Sequence, residues 1–423
     1  MKTTLASTVS TVSSPDALWS PAHAAHLELP SHLPRAAAMV LRLLTRLQRG
    51  RLTLTLPEGK VLEFGSGLPH ASVTLRNFSV FNATLTSGDI GFAESYIDGD
   101  WSTDSLIGVL DLLVSNRRIL DEAVYGTWWG RMLYRTRHLL NRNSRGGARR
   151  NIQAHYDLGN PFYALWLDPS MTYSSALFEG DPGRSLEQAQ LAKYRRLFDQ
   201  VQAPAGAELL EIGCGWGGFA EVAAAQGARV TGLTLSAEQH RYATDRLAAA
   251  GLGDQATIVL RDYRDERASY DAIVSIEMFE AVGERYWPDY FAALARRLKP
   301  GGRAAIQTIV IADALFERYR RGTDFIQQYI FPGGMLPSPS RFITLAGQAG
   351  LEVVDRFSFG PDYGRTLRAW RETFVTRSAQ VRALGFDARF LRLWEFYLAY
   401  CEAAFQHDNT DVMQFTLRHR DRP

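Results

Sequence analysis

The stretch Glu211-Ile-Gly-Cys-Gly-Trp-Gly-Gly218 decides the fold class of this chain. It follows the short apolar run 207–212 and opens a helical pattern that continues through Ala225. Glycines at 213, 215, 217 and 218 let the backbone turn sharply and approach a ligand closely at a helix N-terminus. A strand, a glycine turn and a helix in this order predict a nucleotide-binding unit of a parallel sheet.

Runs of apolar residues recur after this turn at the spacing of strands joined by helices. Strand-like runs lie at 229–235, 256–260, 270–276 and 303–311, and helical patterns separate them. Strands that alternate with helices form a parallel, doubly wound sheet. The sequence therefore predicts the α/β fold class, with a Rossmann-like domain.

A different pattern precedes this domain. A helical period begins at Pro34, alternating runs at 52–56 and 71–75 indicate strands, and 88–97 indicates a turn that enters a helix. Together they predict a small α+β domain. The predicted organisation is a disordered Ser- and Thr-rich segment over 1–33, the α+β domain over 34–125, a basic aromatic linker over 126–150 and the α/β domain over 151–423.

Composition excludes several classes of protein. The chain has 423 residues, of which 46% are hydrophobic and 22% charged, and these are the values of a globular protein with two or three domains. Cys214 and Cys401 are its two cysteines, so we expect neither a disulfide scaffold nor a metal site. We find no signal-peptide pattern and no run of roughly 18 apolar residues, which predicts a cytoplasmic protein with at most peripheral membrane contact.

The linker is strongly basic. Arginines occur throughout 131–150 without any acidic residue, and Trp128 and Trp129 precede them. Arginines beside aromatic and aliphatic side chains suit the interface of an anionic membrane surface, and a solvated linker is an equally good interpretation. No nucleic-acid module accompanies the segment, so we expect no nucleic-acid partner. The arginines are Arg131, Arg135, Arg137, Arg142, Arg145, Arg149 and Arg150.

The glycine turn alone is compatible with a dinucleotide or with S-adenosylmethionine. Glu211 precedes the first glycine, where a carboxylate can balance an ammonium or sulfonium group, and Asp262 follows the third strand, where adenine is usually held. A dinucleotide site would favour an acid at the end of the second strand, but 234–239 follows there instead. We therefore favour S-adenosylmethionine. The expected cofactor-binding residues are Tyr173, Ser174, Glu211, Gly213, Gly215, Trp216, Gly217, Thr234, Leu235, Ser236, Gln239, Asp262 and Tyr263.

Several long motifs match one family in order and spacing. They are Asn151-Ile-Gln-Ala-His-Tyr-Asp-Leu-Gly-Asn160, Met171-Thr-Tyr-Ser-Ser175, the glycine turn, Gly232-Leu-Thr-Leu-Ser-Ala-Glu-Gln239, Met278-Phe-Glu-Ala-Val-Gly283, Gln328-Tyr-Ile-Phe-Pro-Gly-Gly334 and, in the N-terminal domain, Phe92-Ala-Glu-Ser-Tyr-Ile-Asp-Gly-Asp-Trp101. The chain resembles the cyclopropane-fatty-acyl-phospholipid synthases and, over the α/β domain, their mycolic acid cyclopropane synthase relatives.

That resemblance implies a class I methyltransferase fold and a defined chemistry. The double bond of an unsaturated acyl chain in a membrane phospholipid attacks the sulfonium methyl group, a carbocation forms, and loss of a proton closes a cyclopropane ring. A cation of this kind requires a dry pocket with aromatic faces. Candidate aromatic residues, each also explicable as plain core, are Tyr173, Phe279, Tyr286, Trp287, Tyr329, Phe331, Tyr363 and Trp370.

In the family a bound bicarbonate is thought to act as the base. The resemblance places its cradle at Ser175, Glu280, Gln307, Ile309 and Tyr363. Ser175 stands where the family usually has Cys, Gln307 where it usually has His, and Ala281 replaces a further His. Because Gln neither titrates nor carries positive charge, we expect weaker anion binding or a changed proton route. Loss of a proton from a neighbouring chain carbon would give a methyl-branched unsaturated chain, the alternative product.

Two further residues complete the expected catalytic set. Glu280 follows the fourth strand at the carboxyl edge of the sheet and is the favoured catalytic carboxylate, ahead of Glu277. Cys401 matches a cysteine to which the family tradition gives an active-site role, although its helical surroundings favour a core position.

Rival functions remain open. They are a methyltransferase for a soluble small molecule, a lipid-binding protein with an inactive cofactor fold and, weakest, an RNA methyltransferase. The N-terminal domain is expected to present lipid or to mediate self-association, for example as a homodimer.

Overall fold

The computed structural model describes residues 29–30, 32–124 and 158–420. The basic segment 126–150, most of the segment 1–33 and most of the 151–160 motif lie outside these residues, so the predictions made for them stay predictions. In the part of the chain that the structure describes, no helix combines the length and the apolar character needed to cross a membrane.

The N-terminal unit is a four-stranded sheet packed against helices, and it includes the two strands expected at 52–56 and 71–75. Its strands lie in the order β2-β1-β3-β4, and the parallel β1–β3 pair joins two antiparallel pairs. The sequence did not predict β2 and β4, because β4 spans two residues and β2 is interrupted by Gly65. The elements are α1 (Arg35–Leu44), β1 (Gly50–Thr55), β2 (Val61–Ser66), β3 (His70–Leu75), α2 (Ser79–Ser87), α3 (Asp89–Asp98), β4 (Trp101–Ser102), α4 (Leu106–Ser115) and α5 (Arg117–Val124).

The second unit contains the predicted alternation of strands and helices. Its first part comprises α6 (Asn160–Ala164), α7 (Leu186–Val201), β5 (Glu208–Ile212), α8 (Gly218–Ala225), β6 (Arg229–Thr234), α9 (Ala237–Ala249), β7 (Ala256–Leu260), β8 (Tyr270–Ile276), α10 (Trp287–Arg297) and β9 (Leu298–Ile311). Its second part comprises α11 (Asp313–Tyr319), α12 (Phe325–Tyr329), α13 (Pro339–Gln348), β10 (Leu351–Ser358), α14 (Gly360–Thr376), α15 (Ser378–Ala383), α16 (Ala388–Gln406) and β11 (Thr410–His419).

The seven-stranded sheet has the order β10-β11-β9-β8-β5-β6-β7. The five strands β5 to β9 pair in parallel, as predicted, and β11 runs antiparallel to both of its neighbours. The predicted α/β fold with a Rossmann-like sheet is therefore confirmed, and the antiparallel strand β11 is an addition that the sequence analysis did not include. Gln414 and Thr416 interrupt the apolar pattern of β11, and both are buried. Their side chains remain satisfied there because they donate hydrogen bonds to Gln307 and Gln200.

The two units share one hydrophobic core. Helix α16 of the second unit packs against α3 and α4 of the first. The Phe396 ring lies 6.4 Å from that of Phe92 and 5.8 Å from that of Tyr96, and the Tyr96 hydroxyl donates to Glu395 at 3.1 Å. The N-terminal unit thus supports one face of α16, whose other residues reach toward the site described next.

Candidate active site

The predicted glycine turn joins β5 to α8 at the carboxyl edge of the sheet. The backbone N–H groups of Gly213 and Cys214 both donate to the Leu233 carbonyl, at 3.0 and 2.9 Å, and so tie the turn to β6. Gly217 has a φ of 82°, and a Cβ there would lie 2.9 Å from the Cβ of Ala243. Only glycine meets both conditions without strain, and α8 can therefore begin close to the edge where ligands bind in open α/β sheets.

The other expected cofactor residues lie at the ends of the neighbouring strands. The Thr234 hydroxyl, at the end of β6, donates to Gln239 at 2.9 Å and accepts from the backbone N–H of Ser236 at 3.1 Å. Asp262, just after β7, accepts from the Arg264 guanidinium and caps a short 3-10 turn that begins at Tyr263. Since β5, β6 and β7 are parallel neighbours, the structure gathers these residues at one edge. Leu235 lies between Thr234 and Ser236 on the same loop.

A second group of expected residues comes from the segment after α6. The Tyr173 hydroxyl bonds to that of Tyr397 at 2.6 Å, and Ser174 accepts from Lys193. Trp216 of the glycine turn donates to Asn160 at 2.8 Å. The ring of Tyr163 on α6 lies 5.5 Å from that of Tyr173 and 5.1 Å from that of Trp216, so segment 171–175, α6 and the glycine turn lie together on one side of the site.

Glu211 provides the test of whether this edge fits S-adenosylmethionine. Its side chain is buried, and Oε2 has no hydrogen-bond partner among the described residues. Burial raises the pKa of Glu211 to about 8, and the positive charges of Arg246 and Lys193 oppose that rise. A buried carboxyl group with an unused acceptor beside the glycine turn fits a ligand whose positive charge would favour the ionised form of that group.

Three of the expected catalytic residues, Ser175, Gln307 and Tyr363, converge on Glu277. Oε1 of Glu277 accepts from the backbone N–H of Ser175 and from Nε2 of Gln307, each at 2.8 Å. Oε2 accepts from the Tyr363 hydroxyl, also at 2.8 Å. Gln414 on β11 donates to Oε1 of Gln307 at 2.9 Å, which turns the Gln307 amide so that its N–H faces Glu277.

Glu280 occupies a separate position. Its Oε1 accepts from the Thr308 hydroxyl at 2.9 Å and from the backbone N–H of Ile309, and its Oε2 lacks a hydrogen-bond partner among the described residues. Burial, reinforced by the negative charge of Glu277, raises the pKa of Glu280 to about 8. The set of residues expected to form a bicarbonate cradle is therefore divided. Ser175, Gln307 and Tyr363 contact Glu277, and Ile309 contacts Glu280. The sequence ranking of the two carboxylates does not match this geometry.

The backbone at Glu277 marks it as unusual. Its φ is 49°, in the left-handed region that residues other than glycine rarely adopt. Strain of this kind persists where the surrounding structure holds it and is enriched at active sites. The sequence favours Glu280 over Glu277, and the positive φ that distinguishes Glu277 is visible only in the structure.

Several remaining candidates lie in or against the hydrophobic core, which favours a structural role for them. Burial raises the pKa of the Cys401 thiol well above its usual range, so this side chain is a neutral thiol on α16. Phe279 and Trp287 are fully buried and stacked on each other in the core of the second unit. Tyr173 and Trp370, whose ring centroids are 5.4 Å apart, lie in the core shared with α16.

Sequence reasoning missed Lys193. Helix α7 resembles a solvated amphipathic helix, yet Lys193 is completely buried in it. Its Nζ donates to the Ser174 hydroxyl at 2.5 Å. The signal available in the sequence was the position of Lys193 on the apolar face of the helix, beside Ala189 and Leu197.

Comparisons with known proteins agree with this architecture. The family model described as mycolic acid cyclopropane synthetase matches residues 143–415. The chain is 46% identical over 339 residues to the tuberculostearic acid methyltransferase of Mycobacterium tuberculosis, covering 78% of this chain and 79% of that protein. It is 35% identical over 357 residues to the cyclopropane-fatty-acyl-phospholipid synthase of Escherichia coli, covering 82% and 88% respectively. A solved structure of a mycolic acid cyclopropane synthase complexed with SAH (S-adenosylhomocysteine) and CTAB matches with a TM-score of 0.60 at 32% identity, covering 64% of this chain and 97% of that one.

The sheet, the glycine turn and these matches define an S-adenosylmethionine-dependent methyltransferase of the class I fold. Such enzymes hold the cofactor at the carboxyl edge where Glu211 and Asp262 lie. Within that class, the chain belongs to the mycolic acid cyclopropane synthetase family, whose members transfer methyl groups to lipid acyl chains.

Proposed function

We propose that this enzyme is a fatty-acyl C-methyltransferase that acts on the double bond of an unsaturated acyl chain in a membrane phospholipid and yields a methyl-branched unsaturated chain. One observation carries the proposal: the carboxylate of Glu277 lies at the point where Ser175, Gln307 and Tyr363 donate their hydrogen bonds. The base is then a side chain of the enzyme. The name of the 46% identical relative, a tuberculostearic acid methyltransferase, supports methyl transfer to a fatty acyl chain.

The reaction balances with one methyl donor and one base. S-adenosylmethionine supplies a methyl group, whose carbon–sulfur bond breaks as the electrons of the double bond form a new carbon–carbon bond. The adjacent chain carbon is left as a cation. Glu277 then takes a proton from a neighbouring chain carbon, and the electrons of that C–H bond form the new double bond. Burial raises the pKa of Glu277, which makes its carboxylate a stronger base than an exposed one.

Bicarbonate does not fit this arrangement of donors. Three of the groups that the resemblance assigns to it, on Ser175, Gln307 and Tyr363, already donate to Glu277. A second anion beside Glu277 and Glu280 would also meet the negative charge of any ionised carboxylate there. We therefore derive no step through bicarbonate.

Cyclopropane formation is the second candidate. It requires the same base to remove a proton from the transferred methyl group, while the electrons of that C–H bond form the ring bond to the cationic carbon. The 35% identity to the cyclopropane-fatty-acyl-phospholipid synthase over 82% of this chain supports it. The two products are isomers, so mass alone does not separate them.

Isotope labelling separates the products. The purified enzyme is incubated with vesicles of a monounsaturated phospholipid and S-adenosylmethionine that carries a trideuterated methyl group, and the acyl chains are analysed before and after hydrogenation. A methyl-branched product formed by loss of a chain proton keeps all three deuterons and takes up hydrogen. A cyclopropane keeps two deuterons and lacks a double bond, and that result would overturn the proposed product.

The proposal also includes the place where the enzyme meets its substrate. We propose that the enzyme meets its substrate at an anionic membrane surface, with the arginine-rich segment 131–150 in contact with lipid. Sedimentation with anionic vesicles, at low and at high salt, tests this contact. Turnover of a soluble acceptor without vesicle binding would instead favour the small-molecule alternative.

A further inference from the structure

Lys193 is a buried cation whose immediate contacts do not neutralise it. Its side chain is fully buried in α7. Nζ donates to the neutral Ser174 hydroxyl at 2.5 Å and lies 4.6 Å from the centroid of the Tyr194 ring. Burying an ammonium group is costly unless opposite charge compensates it. The compensation must come from carboxylates close by.

Two of those carboxylates, Glu277 and Glu211, belong to the candidate active site. Glu277, Asp168 and Glu211 act on Lys193 electrostatically and favour its charged form. Burial works in the other direction and lowers the pKa of Lys193, so that its charged form depends on these carboxylates. Other titratable groups surround Lys193 and Glu277. They are Asp168 on the loop after α6, Tyr194 on α7, Glu211 on β5, Glu280 on the turn after β8, and Tyr363 on α14.

Helix α7 also contacts the segment that hydrogen-bonds to Glu277. Gln190, one turn before Lys193, donates from Nε2 to the Ser174 carbonyl at 2.9 Å, while Lys193 holds the Ser174 hydroxyl. The next residue, Ser175, donates its backbone N–H to Oε1 of Glu277 at 2.8 Å. Gln190 and Lys193 therefore hold the carbonyl and the hydroxyl group of Ser174. This places the backbone N–H of Ser175 against the carboxylate of Glu277.

We propose that Lys193 is a positioning residue that supplies the buried positive charge needed to keep Glu277 ionised and, together with Gln190, holds segment 174–175 against it. This inference rests on the proposed function, in which Glu277 is the base. Lys193 touches neither acyl chain nor methyl group in this role; it acts through Glu277.

Three substitutions separate the charge of Lys193 from its hydrogen bond. Lys193→Gln removes the charge and retains a donor, Lys193→Met removes both, and Ser174→Ala removes the hydrogen-bond acceptor and leaves the charge. Lys299→Met is the matched control, because Lys299 lies at the protein surface beside Glu208 and Asp271. The kcat of each full-length variant is measured from about pH 6 to about pH 10 on vesicles of a monounsaturated phosphatidylglycerol.

The loss of a nearby positive charge raises the pKa of a carboxyl group. The acid limb of the profile, the pH range in which kcat falls on the acid side, reports the ionisation of Glu277 and should therefore move upward. We expect both Lys193 variants to shift that limb by about one pH unit or more, so that kcat at pH 7 falls about tenfold and recovers in alkali. Ser174→Ala should lower kcat at every pH without moving the limb, and Lys299→Met should match the unsubstituted enzyme.

A Lys193→Gln profile that coincides with that of the unsubstituted enzyme overturns the inference. Should Lys193→Met fail to fold, as shown by its thermal unfolding, Lys193→Gln carries the test because its amide still donates to Ser174. Glu277→Gln is assayed in parallel. If that variant retains turnover, the proposed function itself has failed; if it is inactive and the Lys193 limb is unmoved, only the role of Lys193 is refuted.

Discussion

The hydroxyl of Tyr363 on α14 donates to Oε2 of Glu277 at 2.8 Å, although 86 residues separate the two in the chain. Burial and the negative charge of Glu277 raise the pKa of Tyr363 well above its usual range, so it remains a donor at every accessible pH. Oε1 of the same carboxylate takes its two hydrogen bonds from other elements. Glu277 is thus fixed from three directions, which is the preorganisation that a general base requires.

Tyr363→Phe tests the contribution of this hydroxyl. A hydrogen bond to a charged group is worth about 1.5–3 kcal/mol, so removing it should lower kcat by roughly 10- to 100-fold. Binding of S-adenosylmethionine, measured by calorimetry, should be unchanged because Tyr363 contacts Glu277 and not the glycine turn. A variant with unaltered kcat would show that Glu277 does not depend on this donor.

Glu277→Gly separates the carboxylate from the backbone strain. Glycine adopts the observed φ of 49° readily, and relief of such strain is worth on the order of 1–3 kcal/mol. We therefore expect a folded variant, with a thermal unfolding midpoint close to that of the unsubstituted enzyme, that has lost turnover. Added acetate or bicarbonate should restore part of the activity by entering the vacated space. Full activity without any added carboxylate would exclude Glu277 as the base.

Glu280→Gln should have a small effect at neutral pH. With its pKa raised to about 8, Glu280 is mostly protonated at pH 7, and glutamine reproduces the shape of that neutral form. We expect kcat at pH 7 to stay within about threefold of the unsubstituted enzyme, in contrast to Glu277→Gln. A large loss at pH 7 would restore Glu280 as the principal carboxylate.

The pH dependence of stability offers an independent check on Glu280. A carboxyl whose pKa is higher in the folded than in the unfolded state stabilises the protein fully below the unfolded value, near 4.5. That stabilisation is lost as the pH rises toward about 8. Denaturant unfolding between pH 5 and 8 should therefore show a smaller loss of stability in Glu280→Gln than in the unsubstituted enzyme, and equal slopes would contradict the raised pKa.

Phe396→Ala tests whether the two units fold together. Phe396 is 1% exposed and contacts Phe92 and Tyr96 of the N-terminal unit as well as Phe325, whose ring centroid lies 4.9 Å away. Truncating a buried Phe costs about 3–5 kcal/mol, and we expect one cooperative transition at lower denaturant concentration. Two separate transitions, with that of the second unit unmoved, would show that the units are independent. The shared core also explains why removal of the N-terminal unit is expected to destabilise α16 and not merely to affect lipid presentation.

The sequence by itself determined the elements whose signals are local. The glycine turn, the alternation of strands with helices and the motif spacing predicted the α/β fold, the S-adenosylmethionine site and the family, because these depend on residues close together in the chain. Ser175, Gln307 and Tyr363 were also identified, through the resemblance. The strand β11 was missed because Gln414 and Thr416 become buried only when partners on β9 and α7 accept or donate their hydrogen bonds.

Only the tertiary structure decided which carboxylate those residues serve. Ser175, Gln307 and Tyr363 lie on a loop, a strand and a helix, and the order of the sheet and the packing of α14 bring them to Glu277 and not to Glu280. The same holds for Lys193, which is buried because the tertiary structure places α7 against segment 174–175. Electrostatic environment is a property of distance and burial in three dimensions, and neither quantity is encoded in the local pattern of residues.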